Sequence, residues 1–359
     1  MEVFKLLEYA DHEQIAFCVA PAVGLRAIVV IHDTTLGPAL AGIQALDCES
    51  EDTALSLALR LSETLTLKAA LAGVNYGGGE IVLCGQPAPE HREAAFRALG
   101  RFIQGLGGRI IGAPDVGTST LDLSYVARET DYVAGVNLFE GKYDPSYVSA
   151  EGVFNSLKVS LEEAGRPAGF EGLSATVQGV GAVGSILAPM LAKAGATVYI
   201  NDRDHEKQAR LIVKHPSLKP LSSDDIFTQP VDIFCPCGQG GIIRNNTLSH
   251  LAGRIVCGGT NLQLASSFHD YGQLTARGIT YAPDFAISGG AMVSVVAEME
   301  GHPTSWIRSK MKQVPEQLRA IYSEARERET STVEVAKDMA LRRVGSIASL
   351  AHSYIPPKE

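Results

Sequence analysis

No run of about 18 consecutive apolar residues occurs, so no segment is expected to cross a membrane as a helix. Basic charge is scarce too. The chain has 31 Lys and Arg against 40 Asp and Glu, a formal net charge of −9, which argues against nucleic acid or an anionic membrane surface as partner. The start, Met1-Glu2-Val3-Phe4-Lys5, lacks the basic and apolar blocks of a secretory signal, so the cytoplasm is the expected compartment. Cysteine is sparse: six residues (18, 48, 84, 235, 237 and 257) are scattered along the chain and are expected to be reduced thiols. The one close pair, Cys235-Pro236-Cys237, has no Cys or His at zinc-like spacing beside it, so no metal site is expected. Internal repeats and low-complexity segments are also missing.

What is present is a soluble-type composition, 45% apolar and 20% charged over 359 residues, enough for two sizeable domains. Residues 1–135 read as a mixed α/β domain. Leu25 to Ile31 is rich in β-formers, and residues 32–38 follow as a turn with a Gly-Pro stop. Ala54, Leu57, Ala58, Leu61 and Leu65 recur at helical spacing over 50–65. Gly77-Gly78-Gly79 reads as a turn, meeting a strand at Glu80 to Cys84. A helix is expected over 90–104, and a short strand from Arg109 leaves Asp115 at its end, where binding groups often sit. Asn137 to Val148 reads as an interdomain connection, followed by a helix over 150–163. Residues 136–325 form the second domain in this reading. Residues 326–359, part of a charged helical stretch from Ser305 to about Ser353, form a terminal helical segment that packs back on the first domain.

Between 171 and 290, strand and helix signals alternate as in a doubly wound parallel sheet. Ser174 to Gln178 runs into Gly179-Val180-Gly181-Ala182-Val183-Gly184, a G-x-G-x-x-G loop between a strand and a helix. The first glycine permits the turn, the second lets backbone reach a pyrophosphate, and the third lets helix and strand pack closely. The helix N-terminus then offers amide hydrogens to phosphate. The next strand ends at Asn201-Asp202, about 20 residues on, as a dinucleotide site requires. Asp202 is expected on the adenosine ribose, favouring NAD. Arg203 beside it leaves NADP as the alternative. Pro189, inside the predicted helix, should kink it or end it early.

One stretch carries more than its periodicity: Thr66-Leu67-Lys68-Ala69-Ala70-Leu71-Ala72-Gly73, then Val74-Asn75-Tyr76-Gly77-Gly78-Gly79-Glu80. With Ile31-His32-Asp33-Thr34-Thr35-Leu36-Gly37-Pro38, Pro114-Asp115-Val116-Gly117-Thr118, Asp232-Ile233-Phe234-Cys235-Pro236-Cys237 and Tyr281-Ala282-Pro283-Asp284, it resembles the dehydrogenase family acting on glutamate, leucine, phenylalanine and valine. The resemblance spans most of the chain and is nearest the leucine, phenylalanine and tryptophan enzymes. It implies a mixed α/β substrate domain and a Rossmann domain with a cleft between them, in a homodimer or larger oligomer built through the first. The implied reaction is reversible oxidative deamination of an amino acid, with NAD as acceptor. Lys68 would hold the substrate carboxylate and Asp115 would move protons at the amine. Ser149, Cys237, Gly238 and Asn261 would join the glycine loop on the cofactor side.

The departures from the family pattern lie together. That pattern has a catalytic lysine where this chain has Glu80, and a second asparagine where it has Leu262. Ser288-Gly289-Gly290-Ala291 stands in place of a sequence close to N-A-G-G, and Ala41 replaces a glycine. A carboxylate stabilises positive rather than negative charge. Two carboxylates close together also cannot both ionise cheaply, so one becomes a candidate general acid. The leading expectation is an NAD(P)-dependent oxidoreductase acting on the C–N bond of an amino acid, amine or imine, with imine reduction ahead of hydrolytic deamination. The alternatives are a conventional amino-acid dehydrogenase, a non-catalytic NAD-binding protein, and non-redox chemistry on an amino-acid-like substrate. Leu40, Ala41, Ile43 and Val293 are either pocket or core residues. The substrate side chain, the direction of the reaction and the oligomer size are not readable.

Overall fold

A computed structural model describes residues 11–136 and 144–349, with the side chains of 267–269 apart. These residues fall into two compact units, one within Met1–Leu138, Val295–His302 and Met339–Glu359, the other within Phe139–Ser294 and Pro303–Asp338.

The first unit is built on five strands, β1 (Gln14–Ala20), β2 (Leu25–Asp33), β3 (Ala39–Leu46), β4 (Gly77–Cys84) and β5 (Ile110–Pro114), in the order β1-β2-β4-β3-β5. β1, β2 and β4 pair antiparallel, whereas β4, β3 and β5 run parallel. Side chains alternate between the two faces. Ala41, Ile43, Ile81 and Leu83 pack with Phe96, Leu99 and Ile103 of helix α2 (Arg92–Gly105). On the other face Ile28, Val30 and Val82 pack with Ala54, Leu55, Ala58 and Leu59 of helix α1 (Glu51–Ala72). Ala41 and Ile43 are therefore core residues of the α2 face.

Helix α1 starts where Ser50 accepts the Thr53 amide and Glu51 and Asp52 meet the positive end of the helix dipole; it ends at Gly73 in the left-handed region (φ 67°). It runs past the expected limit at Leu65, which puts Lys68 on its buried face. The glycine triplet is not a turn: Gly77–Gly79 are the first three residues of β4, and none has positive φ. They are glycines for space. A Cβ on Gly78 would collide with Thr66 N and Ser62 O of α1, and one on Gly77 with Asp33 O.

Helix α3 (Thr120–Val126) completes this part of the unit with a capping box between Ser119 and Asp122; Arg92 grips Asp122 with two nitrogens at 2.6 and 2.8 Å.

The second unit holds six parallel strands, β6 (Ser174–Gln178), β7 (Thr197–Asn201), β8 (Lys219–Pro220), β9 (Ile233–Pro236), β10 (Ile255–Val256) and β11 (Thr280–Tyr281), in the order β11-β10-β9-β6-β7-β8. The helices α4 (Pro145–Glu163), α5 (Gly184–Lys193), α6 (His205–Lys214), α7 (Asn245–Leu248), α8 (Ser267–Ala276) and α9 (Asp284–Ile287) intervene. The chain then continues through α10 (Gly290–Glu300), α11 (Thr304–Glu327) and α12 (Thr332–Ala348).

Several expected boundaries move. Of the expected interdomain connection, residues 137–143 lie outside the described residues. Its last part is helix, because Asp144 caps α4 and Pro145 suits the first helical turn. Helix α5 does not end early at Pro189 but runs on to Lys193. The charged terminal stretch is two helices, parted where Glu329 adopts φ 51°; its end, 350–353, lies outside the described residues. Within the first unit Arg343 donates to Val74 O and Asn75 Oδ1, and Tyr76 donates to Glu300.

The close seating of α1 on β4 predicts that Gly78→Ala destabilises the first unit by about 3 kcal/mol, since backbone atoms must move to admit one methyl. A denaturant midpoint that is unchanged, at unchanged slope, would show that α1 does not sit where described.

Candidate active site

In the first unit the chemistry gathers on the α1 face of the sheet. Glu80 lies on the central strand, paired with Val30 on β2 and Gly42 on β3. It is 0% exposed, and neither carboxylate oxygen has a hydrogen-bond partner. Burial holds its pKa well above the ordinary 4.5, and the nearby Asp115 carboxylate adds to this; Lys68 and the Gly42 amide, outside hydrogen-bond geometry, pull it back only in part. An anion in such a place is costly, so burial favours the neutral acid. Lys68, 5% exposed on α1, is the cation of the cluster.

Asp115 follows β5, partly exposed, and its carboxylate turns back over β3. There Oδ1 accepts the Val116 amide at 2.7 Å and Oδ2 accepts Gln44 Nε2 at 3.2 Å. A Cβ on Gly42 would strike Oδ2, so the carboxylate fills the space that glycine leaves. Burial raises the Asp115 pKa, opposed by Gln44, Val116 and Lys68 in that order. Thr118 fixes the turn, donating to Ile43 O and accepting the Asp115 amide. Lys68, Glu80 and Asp115 are thus brought together. Gly42 and Gln44 belong with them without a signal in the sequence, because β3 (Ala39–Leu46), rich in small residues, has no β-branched residue except Ile43; Thr118 lies in the quoted motif around Asp115.

In the second unit the strand order reverses between β6 and β9, and ligands of such sheets bind at the C-terminal ends of the strands flanking that switch. The glycine loop sits there. Gly179 (φ 88°) lies against Cys237 and Gly238 at the end of β9, where a Cβ would collide. One on Gly184 would strike Gly179 O, so helix α5 is seated directly on the loop. Gly181 has nothing within 4 Å of its would-be Cβ, and with Ala182 it is exposed. The three glycines therefore divide their duties as a pyrophosphate cradle needs, and the residues present fit a dinucleotide.

Val180 donates to Asp202 Oδ2 at 2.7 Å, which ties the loop to the end of β7. A carboxylate has lone pairs to spare for ribose hydroxyls, and Asp202 remains partly exposed, with Arg203 exposed beside it. Cys237 donates its amide to Gln178 O beside the glycine loop, and burial pushes its thiol up to about 12. Ser149 is buried on α4 and accepts the Ala291 amide at 2.9 Å, so its hydroxyl serves the start of α10. Asn261 is partly buried in a loop whose next residue, Leu262, has φ 53° and donates to Asp284. The six cysteines are free thiols. Among the described residues no group of three or more His, Cys, Asp or Glu could hold a metal, and no helix is long and apolar enough to cross a membrane.

A mixed α/β unit carrying buried ionisable groups, with a Rossmann-like unit carrying a glycine cradle, defines a two-domain α/β dinucleotide-dependent enzyme. Two family models match the chain: "Glu/Leu/Phe/Val dehydrogenase, dimerisation domain" over residues 12–132 and "Glutamate/Leucine/Phenylalanine/Valine dehydrogenase" over 199–351. Leucine dehydrogenase of Geobacillus stearothermophilus is 39% identical over 356 residues, 99% of this chain and 96% of that one. Phenylalanine dehydrogenase of Caldalkalibacillus thermarum (strain TA2.A1) is 37% identical, over 97% of this chain and 95% of that one. The crystal structure of L-tryptophan dehydrogenase from Nostoc punctiforme matches with a TM-score of 0.77 and 31% identity, over 96% of this chain and 99% of that one. The chain belongs to the Glu/Leu/Phe/Val dehydrogenase family, a family of oxidoreductases using NAD.

Two outcomes follow for the second unit. Gly181→Ala leaves the melting temperature unchanged, because its methyl meets no protein atom, yet weakens NAD binding at least about tenfold by standing in the pyrophosphate's path. Equal NAD affinity in a calorimetric titration would place the cofactor elsewhere. Leu262→Asn stabilises the fold by about 0.5–1 kcal/mol, because asparagine tolerates the left-handed region better than leucine. A lower unfolding midpoint would contradict that backbone assignment.

Proposed function

We propose that the chain catalyses NAD-dependent oxidoreduction at the carbon–nitrogen bond of an amino acid or related amine, and that it works chiefly as a reductase of preformed imines and iminium ions. The observation supporting the second part is Glu80: a fully buried carboxyl with both oxygens unpartnered, beside Asp115 and Lys68. By the family resemblance, a lysine at position 80 helps water attack an imine by stabilising negative charge on oxygen. A carboxyl does the reverse.

Lys68 holds the substrate carboxylate. Glu80, kept protonated by burial, gives its proton to the imine nitrogen, and the carboxylate left behind stabilises the iminium cation. Asp115, closer to solvent, returns a proton to Glu80 between turnovers. When bound, the reduced nicotinamide supplies the hydride that the iminium carbon takes up. The cradle of residues 179–184 holds the dinucleotide. Asp202 favours NAD over NADP because a 2′-phosphate would meet its charge. Assembly as a homodimer or larger oligomer through the first unit accords with the dimerisation domain that its family model describes; a monomeric mass by light scattering would refute it.

The test is the purified protein with NADH, following loss of its absorbance, against cyclic imino acids and preformed acyclic imines in one arm and oxo acids with ammonia in the other. Faster turnover in the first arm is expected. The identities to leucine and phenylalanine dehydrogenases favour a second reading, ordinary reductive amination and deamination, which faster turnover in the second arm would establish. NAD binding without turnover in either arm would sink both.

Glu80→Gln should abolish imine reduction while making the protein more stable at neutral pH. The folded-state pKa of Glu80 lies above its ordinary 4.5, so between the two values the native state holds the extra proton and stability falls as pH rises. Glutamine removes that penalty, so the two unfolding midpoints should converge near pH 4 and separate above it. A variant less stable at neutral pH would contradict the burial of an unpaired acid.

A further inference from the structure

The proton-carrying role given to Asp115 leaves open what keeps its carboxylate in place. Asp115 is the residue after β5, and an unrestrained aspartate there would swing toward solvent. Three features prevent this. Gly42 vacates the space above β3, where any side chain would strike Oδ2. The Val116 amide takes Oδ1 at 2.7 Å. Gln44, two residues along β3 from Gly42 and so on the same face, takes Oδ2 through Nε2 at 3.2 Å. Gln44 is only 7% exposed, an unusual burial for a long amide unless it is engaged.

We propose that Gln44 is the positioning residue for Asp115: its buried amide holds the carboxylate over Gly42, in place to return a proton to Glu80 between turnovers. This rests on the reading of Asp115 as a proton carrier. The residue type suits the task. A carboxamide donates to the carboxylate and, turned over, accepts from the carboxylic acid, so it serves Asp115 in both protonation states. An arginine or lysine there would hold the group ionised, and an aliphatic chain would strand it. The ionisable groups facing Asp115 are Lys68 from α1, which favours its ionised form, and Glu80 from β4, whose own ionisation Asp115 opposes.

The test uses Gln44→Met, Gln44→Lys and the conservative Gln44→Asn in the full chain, each read in two ways. One is the pH profile of kcat for NADH-dependent turnover. The other is the side-chain carboxyl titration of Asp115 by carbon-13 NMR, assigned with Asp115→Asn, which needs no turnover. Methionine should move the Asp115 titration up by about one pH unit and lysine should move it down by a similar amount, with the corresponding limb of the profile following each and KM changing little. Asparagine, one methylene short, should restore part of the wild-type profile. Loss of kcat with the Asp115 titration unmoved in both methionine and lysine variants would overturn the proposal and reduce Gln44 to a packing residue. A titration that moves in opposite directions while the kcat profile stays put would uphold Gln44 as the holder of Asp115 and count against Asp115 as proton carrier. Circular dichroism and the unfolding midpoint of each variant separate these outcomes from misfolding.

Discussion

The first unit depends on one costly arrangement: a carboxyl on the central strand of a sheet, with a strand on either side, a helix above, and no donor for either oxygen. Proteins rarely leave a buried polar group without partners, and those that remain call for an explanation. Burial favours Glu80 as the neutral acid, and in the proposed reaction an imine nitrogen supplies the acceptor for its proton. Its neighbours pull both ways. Asp115 is folded back toward it, and Lys68 contributes charge without the hydrogen bond that would fix Glu80 as an anion. A sheet interior gives rigid placement, and rigid placement is what proton transfer to a bound nitrogen requires.

The glycines carry much of the geometry, for reasons that differ by position. Gly78 lets α1 lie on β4, which sets the height of Lys68 above the sheet. Gly42 makes room for a carboxylate from the end of the neighbouring strand, since β5 pairs with β3 on the side away from β4. Gly179 and Gly184 close the nucleotide loop on itself and on β9, while Gly181 stays open toward a ligand. Only Gly179 among these needs a positive φ. The others are glycine because another atom occupies the place of a side chain.

Much of this was legible in the amino-acid order. The glycine loop between a strand and a helix, with Asp202 at the end of the following strand, is a local pattern with a local cause, and the structure has both in those places. Lys68 and Asp115 were legible because they sit inside longer motifs. The triplet Gly77–Gly79 was misread as a turn because glycine's conformational freedom is visible in a sequence, whereas the proximity of Thr66 and Ser62 is not. β3 escaped notice because alanine, glycine and glutamine are weak strand formers whose placement is decided by the partners on either side. Gln44 had no signal at all: its importance comes from Asp115, 71 residues away along the chain. The two-residue strands β8, β10 and β11 owe their existence to their neighbours in the parallel sheet more than to their own composition.

The most direct measurement is the protonation state of Glu80 in the free protein at neutral pH. An infrared difference spectrum between wild type and Glu80→Gln should contain the carbonyl stretch of a protonated, weakly hydrogen-bonded carboxylic acid, present only in the wild type. A spectrum showing instead the loss of an ionised carboxylate on substitution would mean that position 80 carries an ordinary, compensated charge, and the account of a buried acid awaiting a cationic nitrogen would fail.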